Sequence, residues 1–214
     1  MEKIGIFGSG QVARTLGTGF VRHGYAVMLG SRDTAKLVDW RAKAGENANV
    51  GSFEDAAAFG DCIVLAVKGT AAEGLVKATS RALKDKVVID TTNPIADVPP
   101  DHNVIRFFTS PDESLMERLQ DIAPDARFVK AFNSVGNLLM VDPSFPGTKP
   151  TMFICGNDAS ARSKVGGILA EFGWDVEDMG TAHAARTIEN LCILWCIPGF
   201  MNNSWTHAFK LLKR

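Results

Sequence analysis

Two rhythms of apolar and polar residues alternate along this chain: short unbroken apolar runs, and longer stretches with helical spacing. Ile4-Gly5-Ile6-Phe7 is the first run. It leads through Gly8-Ser9-Gly10-Gln11-Val12-Ala13 into an amphipathic segment that predicts a helix over about 12–23. An unbroken apolar run marks a parallel strand covered on both faces, and the following helical spacing marks its crossover. The same couple recurs. Strands are expected over 26–29, near 49–52, and over 62–67, 87–90 and 127–131; helices over about 34–43, 53–60, 71–83 and 111–122. A short extended piece is expected at 104–108. Strands and helices alternating at this spacing predict right-handed βαβ units, hence an α/β fold with a doubly wound, mainly parallel sheet.

Between 142 and 150 the chain turns rich in Pro, Gly and Ser, which makes this stretch the one plausible seam. Residues 1–142 are expected to form a nucleotide-binding domain. Residues 151–214 are expected to add a sheet extension and a small C-terminal helical lobe, not an independently folding unit. In this second part strands are expected at 151–155 and 174–178, and helices at 160–172, 181–195 and 199–213.

The opening motif carries the first chemistry. A strand, then G-x-G-x-x-A, then a helix is the context of a dinucleotide-binding turn of the Rossmann type. Gly8 permits the tight turn, Gly10 lets the backbone approach a pyrophosphate, and Ala13 keeps the helix close to the sheet. The helix N-terminus offers free N–H groups to the phosphates. After the second strand a free ribose 2′-hydroxyl would call for an acidic residue, but Ser31 and Arg32 stand there. A hydroxyl and a guanidinium suit a phosphate monoester, with Lys36 close behind, and favour NADP(H) over NAD. Asp33, one position late, also fits an ordinary helix cap. Ligands bind outside the carboxyl ends of such strands, so Ala66-Val67-Lys68, Asn93-Pro94 and Ala131-Phe132-Asn133 should border the cofactor.

Composition narrows the field. With 214 residues, 46% of them hydrophobic, the chain can bury a substantial core. A formal net charge of -1 and no basic run give no reason to expect nucleic acid or an anionic membrane as partner. Lys3 is followed at once by a strand, and no run of about 18 apolar residues occurs, so neither a secretory signal nor a membrane span is expected. Four cysteines fit a reducing, cytoplasmic setting. Cys62 and Cys155 lie in expected strands. Cys192 and Cys196, four apart, share a helix face, but no His or acidic residue joins them at ligand spacing, so no metal site is expected.

The stretches Gly8-Ser9-Gly10-Gln11-Val12, Ser31-Arg32, Asn93-Pro94, Lys130-Ala131-Phe132-Asn133 and Cys155-Gly156-Asn157-Asp158 together carry a family likeness. The chain resembles the NADP oxidoreductases that use 8-hydroxy-5-deazaflavin, and also the cytosolic NADPH-binding domain of the STEAP metalloreductases. The resemblance implies that Ser9 to Val12 hold the pyrophosphate. It assigns Ser31, Arg32 and Lys36 to the 2′-phosphate. Val67, Asn93, Pro94, Ala131, Phe132 and Asn133 would surround the ribose and nicotinamide. It also implies pairing of two copies through their C-terminal portions. One departure stands out: where the deazaflavin enzymes carry Pro and an aromatic residue, this chain has Lys68-Gly69.

The expected reaction is hydride transfer between NADPH and a flavin, deazaflavin or similar planar acceptor. Stacked rings need little help from side chains, so no catalytic residue is assigned. Two alternatives stay open: a small-molecule (imine, keto or hydroxy-acid) reductase with Lys130 as proton donor, and a non-catalytic NADP(H)-binding sensor. Lys130 could instead pair with a carboxylate. His183 could touch a substrate or stand at the surface. Glu189 could pair with Arg186 at i,i+3 spacing or help to position a partner chain. The tail residues Trp195, Phe200, Met201, Trp205 and Phe209 could be core, a rim for a flat ring, or a dimer interface.

Overall fold

The computed structural model describes all 214 residues. Strands β1 (Lys3–Phe7), β2 (Ala26–Gly30), β3 (Ala48–Gly51), β4 (Cys62–Leu65), β5 (Val87–Asp90) and β6 (Arg127–Lys130) form one parallel sheet in the order β3-β2-β1-β4-β5-β6. The chain winds outward from β1 to β3, then returns to β4 and winds the other way. The crevice of such a sheet opens where that direction reverses, at the carboxyl ends of β1 and β4.

Helices α1 (Gln11–Arg22), α2 (Val38–Ala44), α3 (Phe53–Phe59), α4 (Gly69–Leu83) and α5 (Leu115–Ile122) supply the crossovers. Strand alternation sorts the core into two layers. Ile4, Ile6, Val64, Ile89 and Val129 meet Leu16 and Phe20 of α1 on one face. Phe7, Ile63, Leu65, Val88 and Phe128 meet Ala72, Val76 and Leu119 on the other. Glycines allow close approach where backbone meets backbone: a Cβ on Gly8 (φ +144°) would stand 2.2 Å from the Ala66 carbonyl.

The seam at 142–150 does not divide the core. Met152 and Ile154 of β7 (Thr151–Ile154), with Val165 and Leu169 of α6 (Ala159–Glu171), share one apolar cluster with Ile4 and Phe20. Strand β7 pairs in parallel with β8 (Asp175–Asp178) and touches β6 through a bridge from Lys130 to Cys155.

Two expectations are corrected. The helix expected from 111 begins at Leu115, because Ser114 and Glu117 close a reciprocal cap there. The short piece expected at 104–108 takes part in isolated antiparallel bridges, Val104 to Asp101 and Phe107 to Ile95. The two helices expected at the C-terminus are one, α7 (Ala185–Asn202), which runs through Pro198, and residues 203–214 form neither helix nor strand. Proline removes a single N–H, the one that would reach the Leu194 carbonyl, in a stretch where Leu194 faces solvent.

The helix ends at Asn203 in the left-handed region (φ 51°), and the chain reverses. The Trp195 indole donates to the His207 carbonyl at 2.8 Å, and the Thr151 N–H donates to the Phe209 carbonyl at 2.8 Å, so the tail is fastened to α7 and β7. Gly199 makes room for it, since a Cβ there would lie 2.3 Å from the Trp205 ring. Gly199→Val should therefore displace the tail and cost about 1–3 kcal/mol in a denaturant melt. An unchanged midpoint would mean that the tail contributes nothing to stability.

Candidate functional site

Five strand ends meet at the carboxyl edge of the sheet, and the expected site residues stand on them. Gly10 precedes α1 in extended conformation with no side-chain cap, so the first N–H groups of α1 lack the partner a cap would give. A Cβ placed on Gly10 would meet no protein atom within 4 Å, whereas the glycines at 5 and 8 are hemmed in by backbone. The space over Gly10 is thus open in front of a helix N-terminus, which is the shape a pyrophosphate requires. Ser9, Gln11 and Val12 flank it, with Gln11 exposed and Ser9 and Val12 half-buried.

Ser31 is buried at the end of β2, its N–H bonded to the Gly51 carbonyl, and its hydroxyl accepts the Asp33 N–H at 3.2 Å. Asp33 caps the short 3-10 turn Thr34–Leu37 by accepting from the Ala35 N–H. Arg32 is exposed and engages no hydrogen bond or ion pair within the chain; Lys36 stands 3.7 Å from Asp33. A neighbour not read from sequence ties these parts together. Arg14 of α1 donates to the Ser9 carbonyl at 3.0 Å and to the Lys36 carbonyl, joining the turn before α1 to the 3-10 turn after β2. A free guanidinium beside a buried hydroxyl fits a 2′-phosphate. Arg32→Ala should weaken NADPH by about 10- to 100-fold and NADH by no more than about twofold in a fluorescence titration. Equal losses would remove Arg32 from the phosphate site.

On the far side, Ala66 is buried, Val67 half-buried and Lys68 exposed, its ammonium 3.6 Å from Asp97. Of the Lys68-Gly69 pair, the glycine has a steric cause. A Cβ on Gly69 would lie 2.0 Å from the Asn93 carbonyl, so α4 starts hard against the turn after β5. Asn93 and Asn133 are clasped side by side. Asn93 Nδ2 donates to the Asn133 carbonyl at 2.8 Å, and Asn133 Nδ2 donates to Asn93 Oδ1 and to the Ile188 carbonyl of α7. Asn133 Oδ1 is buried without a partner. Pro94 and Ala131 are buried beside them. Phe132, also buried, holds a left-handed backbone (φ 61°), a conformation that costs a non-glycine residue about 1–3 kcal/mol and concentrates at functional sites.

Lys130 decides between the readings left open for it. It is wholly buried, 2.7 Å from Asp90 and 2.8 Å from Glu189, and it also donates to the Thr92 carbonyl at 2.9 Å. Burial alone would lower its pKa, but the two carboxylates outweigh this and hold it above the usual lysine value. All its donors are engaged inside the protein, so it pairs with carboxylates and has no proton directed at a ligand. Glu189 does not pair with Arg186. Its two oxygens accept the Leu115 and Met116 N–H groups at 3.0 Å, capping α5, and Arg186 grips Glu117 instead. His183 is exposed, 3.9 Å from Glu117. Cys192 is buried and Cys196 half-buried.

The strand order and the glycine turn before α1 define a fold of the Rossmann dinucleotide-binding class. Residues 3–94 match the family model described as NADP oxidoreductase, coenzyme F420-dependent. The F420-dependent NADP reductase of Methanocaldococcus jannaschii is 27% identical over 173 residues, covering 76% of this chain and 77% of that protein. Metalloreductase STEAP3 of Rattus norvegicus is 28% identical over 200 residues, 92% of this chain but 38% of the rat protein, so the chain spans well under half of that relative. A crystal structure of a candidate F420-dependent NADP-reductase from Arthrobacter sp. FB24 superposes over the whole of both chains with TM-score 0.92 at 28% identity. The imine reductase of Streptomyces aurantiacus shares the fold, with TM-score 0.68 at 14% identity over 94% of this chain and 63% of that one. The resemblance read from the motifs is thereby borne out: the chain is similar to the F420-dependent NADP oxidoreductases and to the STEAP metalloreductases. No helix is long and apolar enough to cross a membrane.

Proposed function

We propose that this chain is an NADP(H)-dependent oxidoreductase that passes hydride between NADPH and a flavin, deazaflavin or similar planar acceptor. The open space over Gly10, in line with an unpaired Arg32 beside buried Ser31, carries the nucleotide half of this reading. Ser9 to Val12 would hold the pyrophosphate, and Ser31, Arg32 and Lys36 the 2′-phosphate. Val67, Lys68, Asn93, Pro94, Ala131, Phe132 and Asn133 would border the ribose and nicotinamide. The buried, unpartnered Asn133 oxygen is in keeping with a polar ligand group nearby.

NADPH supplies the hydride when bound. The protein's part is to hold and orient the ring and to exclude water, tasks for the rigid clasp of Asn93 and Asn133. Reduction of an imine or ketone would need a placed proton donor, and the engagement of Lys130 with Asp90 and Glu189 speaks against it in that role. Four free thiols suit a cytoplasmic setting.

Pairing of two copies is supported by the outer face of α7. Ile193, Leu194, Ile197, Phe200 and Met201 form a stripe at helical spacing, with Leu194 and Met201 55% and 61% exposed. Leu194→Asp together with Met201→Asp should then yield a monomer in sedimentation; a wild-type chain that is already monomeric at micromolar concentration contradicts the pairing.

The reaction is tested by following NADPH absorbance with FMN, FAD, riboflavin and a deazaflavin as acceptors. Turnover with one of these rings, and none with simple imines or ketones, is the expected result. Tight NADPH binding with no turnover across the panel would favour the sensor reading.

A further inference from the structure

Asp90 and Lys130 end adjacent strands as register partners, and Glu189 descends on them from the second turn of α7. Each member of this buried triad holds a different element. Asp90 Oδ1 accepts the Thr92 N–H at 2.9 Å and the Thr92 hydroxyl at 2.6 Å, shaping the turn that presents Asn93. Lys130 takes the Thr92 carbonyl in the same turn. Glu189 takes Lys130 and the first two N–H groups of α5. The residue before Glu189, Ile188, gives its carbonyl to Asn133 at 2.8 Å. Two carboxylates on one ammonium would leave an excess negative charge in the interior, and the N-terminus of α5 is the dipole end that offsets it.

Resting on the NADP(H) reading above, we propose that Glu189 is a positioning residue. It locks α7 onto the ends of β5 and β6 and so sets the nicotinamide half of the site through Thr92, Asn93 and Asn133. It has no contact with the adenosine half: Ser9 and Gly10 are bonded to Arg14 and Ser31 to Gly51, while Arg32 stands free at the surface. The alternative is that the triad merely holds the protein together. The two roles differ in what they do to ligands that lack a nicotinamide.

Glu189→Gln separates them. The amide keeps the volume and one acceptor, leaves Lys130 its Asp90 partner, and turns a donor against one α5 N–H. The measurement is equilibrium binding of NADPH and of 2′,5′-ADP, which carries the adenosine half and the 2′-phosphate alone. Both are titrated against wild type and variant well below either melting temperature. The wild type should bind NADPH more tightly than 2′,5′-ADP. In the variant NADPH should weaken by about fivefold or more, and 2′,5′-ADP should change by less than about twofold. Glu189→Asp, which keeps the charge and withdraws it by one methylene, should fall between the two and serves if the Gln variant does not fold. Parallel weakening of both ligands, or no change in either, overturns the positioning role. Equal wild-type affinity for the two ligands also overturns it while leaving the NADP(H) reading intact. Failure of the wild type to bind either ligand removes that reading itself.

Discussion

Gly10→Val should weaken dinucleotide binding by about a hundredfold or more while the protein stays folded. The added Cβ meets no protein atom within 4 Å, so packing gives it nothing to displace, unlike Gly8 or Gly69, whose added carbons would run into carbonyls. The isopropyl group would instead fill the space over the N-terminus of α1, where a pyrophosphate must come within hydrogen-bond reach of backbone N–H groups. Losing those bonds to a charged group costs about 3 kcal/mol or more, roughly a hundredfold in affinity. NADPH and NADH should suffer alike, because both carry the pyrophosphate. Titration of the variant beside a thermal melt checks both halves of this expectation. Unchanged affinity would reduce the opening motif to a turn; a lowered melting temperature would show that Gly10 has a packing role as well.

Lys130→Ala should be among the most destabilising single changes in the chain, by about 3–5 kcal/mol. It leaves Asp90 and Glu189 buried side by side without the ammonium between them, and leaves the Thr92 carbonyl without its donor. One of the carboxyls must then take up a proton or the network must open to water. Lys130→Met, which keeps the stem but not the charge, should share most of the loss. Urea melts of the two variants measure it. A loss under about 1 kcal/mol for both would mean that the triad adds little and that the two carboxylates find other partners. The same geometry changes what this substitution can report. Low turnover in Lys130→Ala would follow from a damaged site edge, so it does not separate a keto or imine reductase from a flavin-type enzyme.

The nucleotide half of the site was legible because glycine, strand and helix signals are local. Gly8, Gly10, Ser31 and Arg32 stand just after β1 and β2, where the pattern places them. The triad was less so. Asp90 and Lys130 are each the last residue of an apolar strand, which is a readable hint, but their contact depends on the register of neighbouring strands. Glu189 and Arg186 stand at i,i+3 spacing, and that spacing suggested a pair within the helix. Rotation of α7 instead turns Glu189 inward to Lys130 and α5, and leaves Arg186 for Glu117, 69 residues away. Nothing in the local sequence sets that rotation; the packing of Ile188, Cys192 and Trp195 does. The tail misled for a similar reason. Trp205 and Phe209 repeat at helical spacing, yet their rings and carbonyls are bound by Gly199, Trp195 and Thr151, contacts that only the folded chain brings together.

The nucleotide side is where the account is most exposed to test. The most direct measurement is the equilibrium affinity of the wild-type protein for NADPH and for NADH in the same buffer. The account predicts that NADPH binds at least about tenfold more tightly, through Ser31 and the free Arg32 guanidinium. Equal affinities, or a preference for NADH, would contradict it.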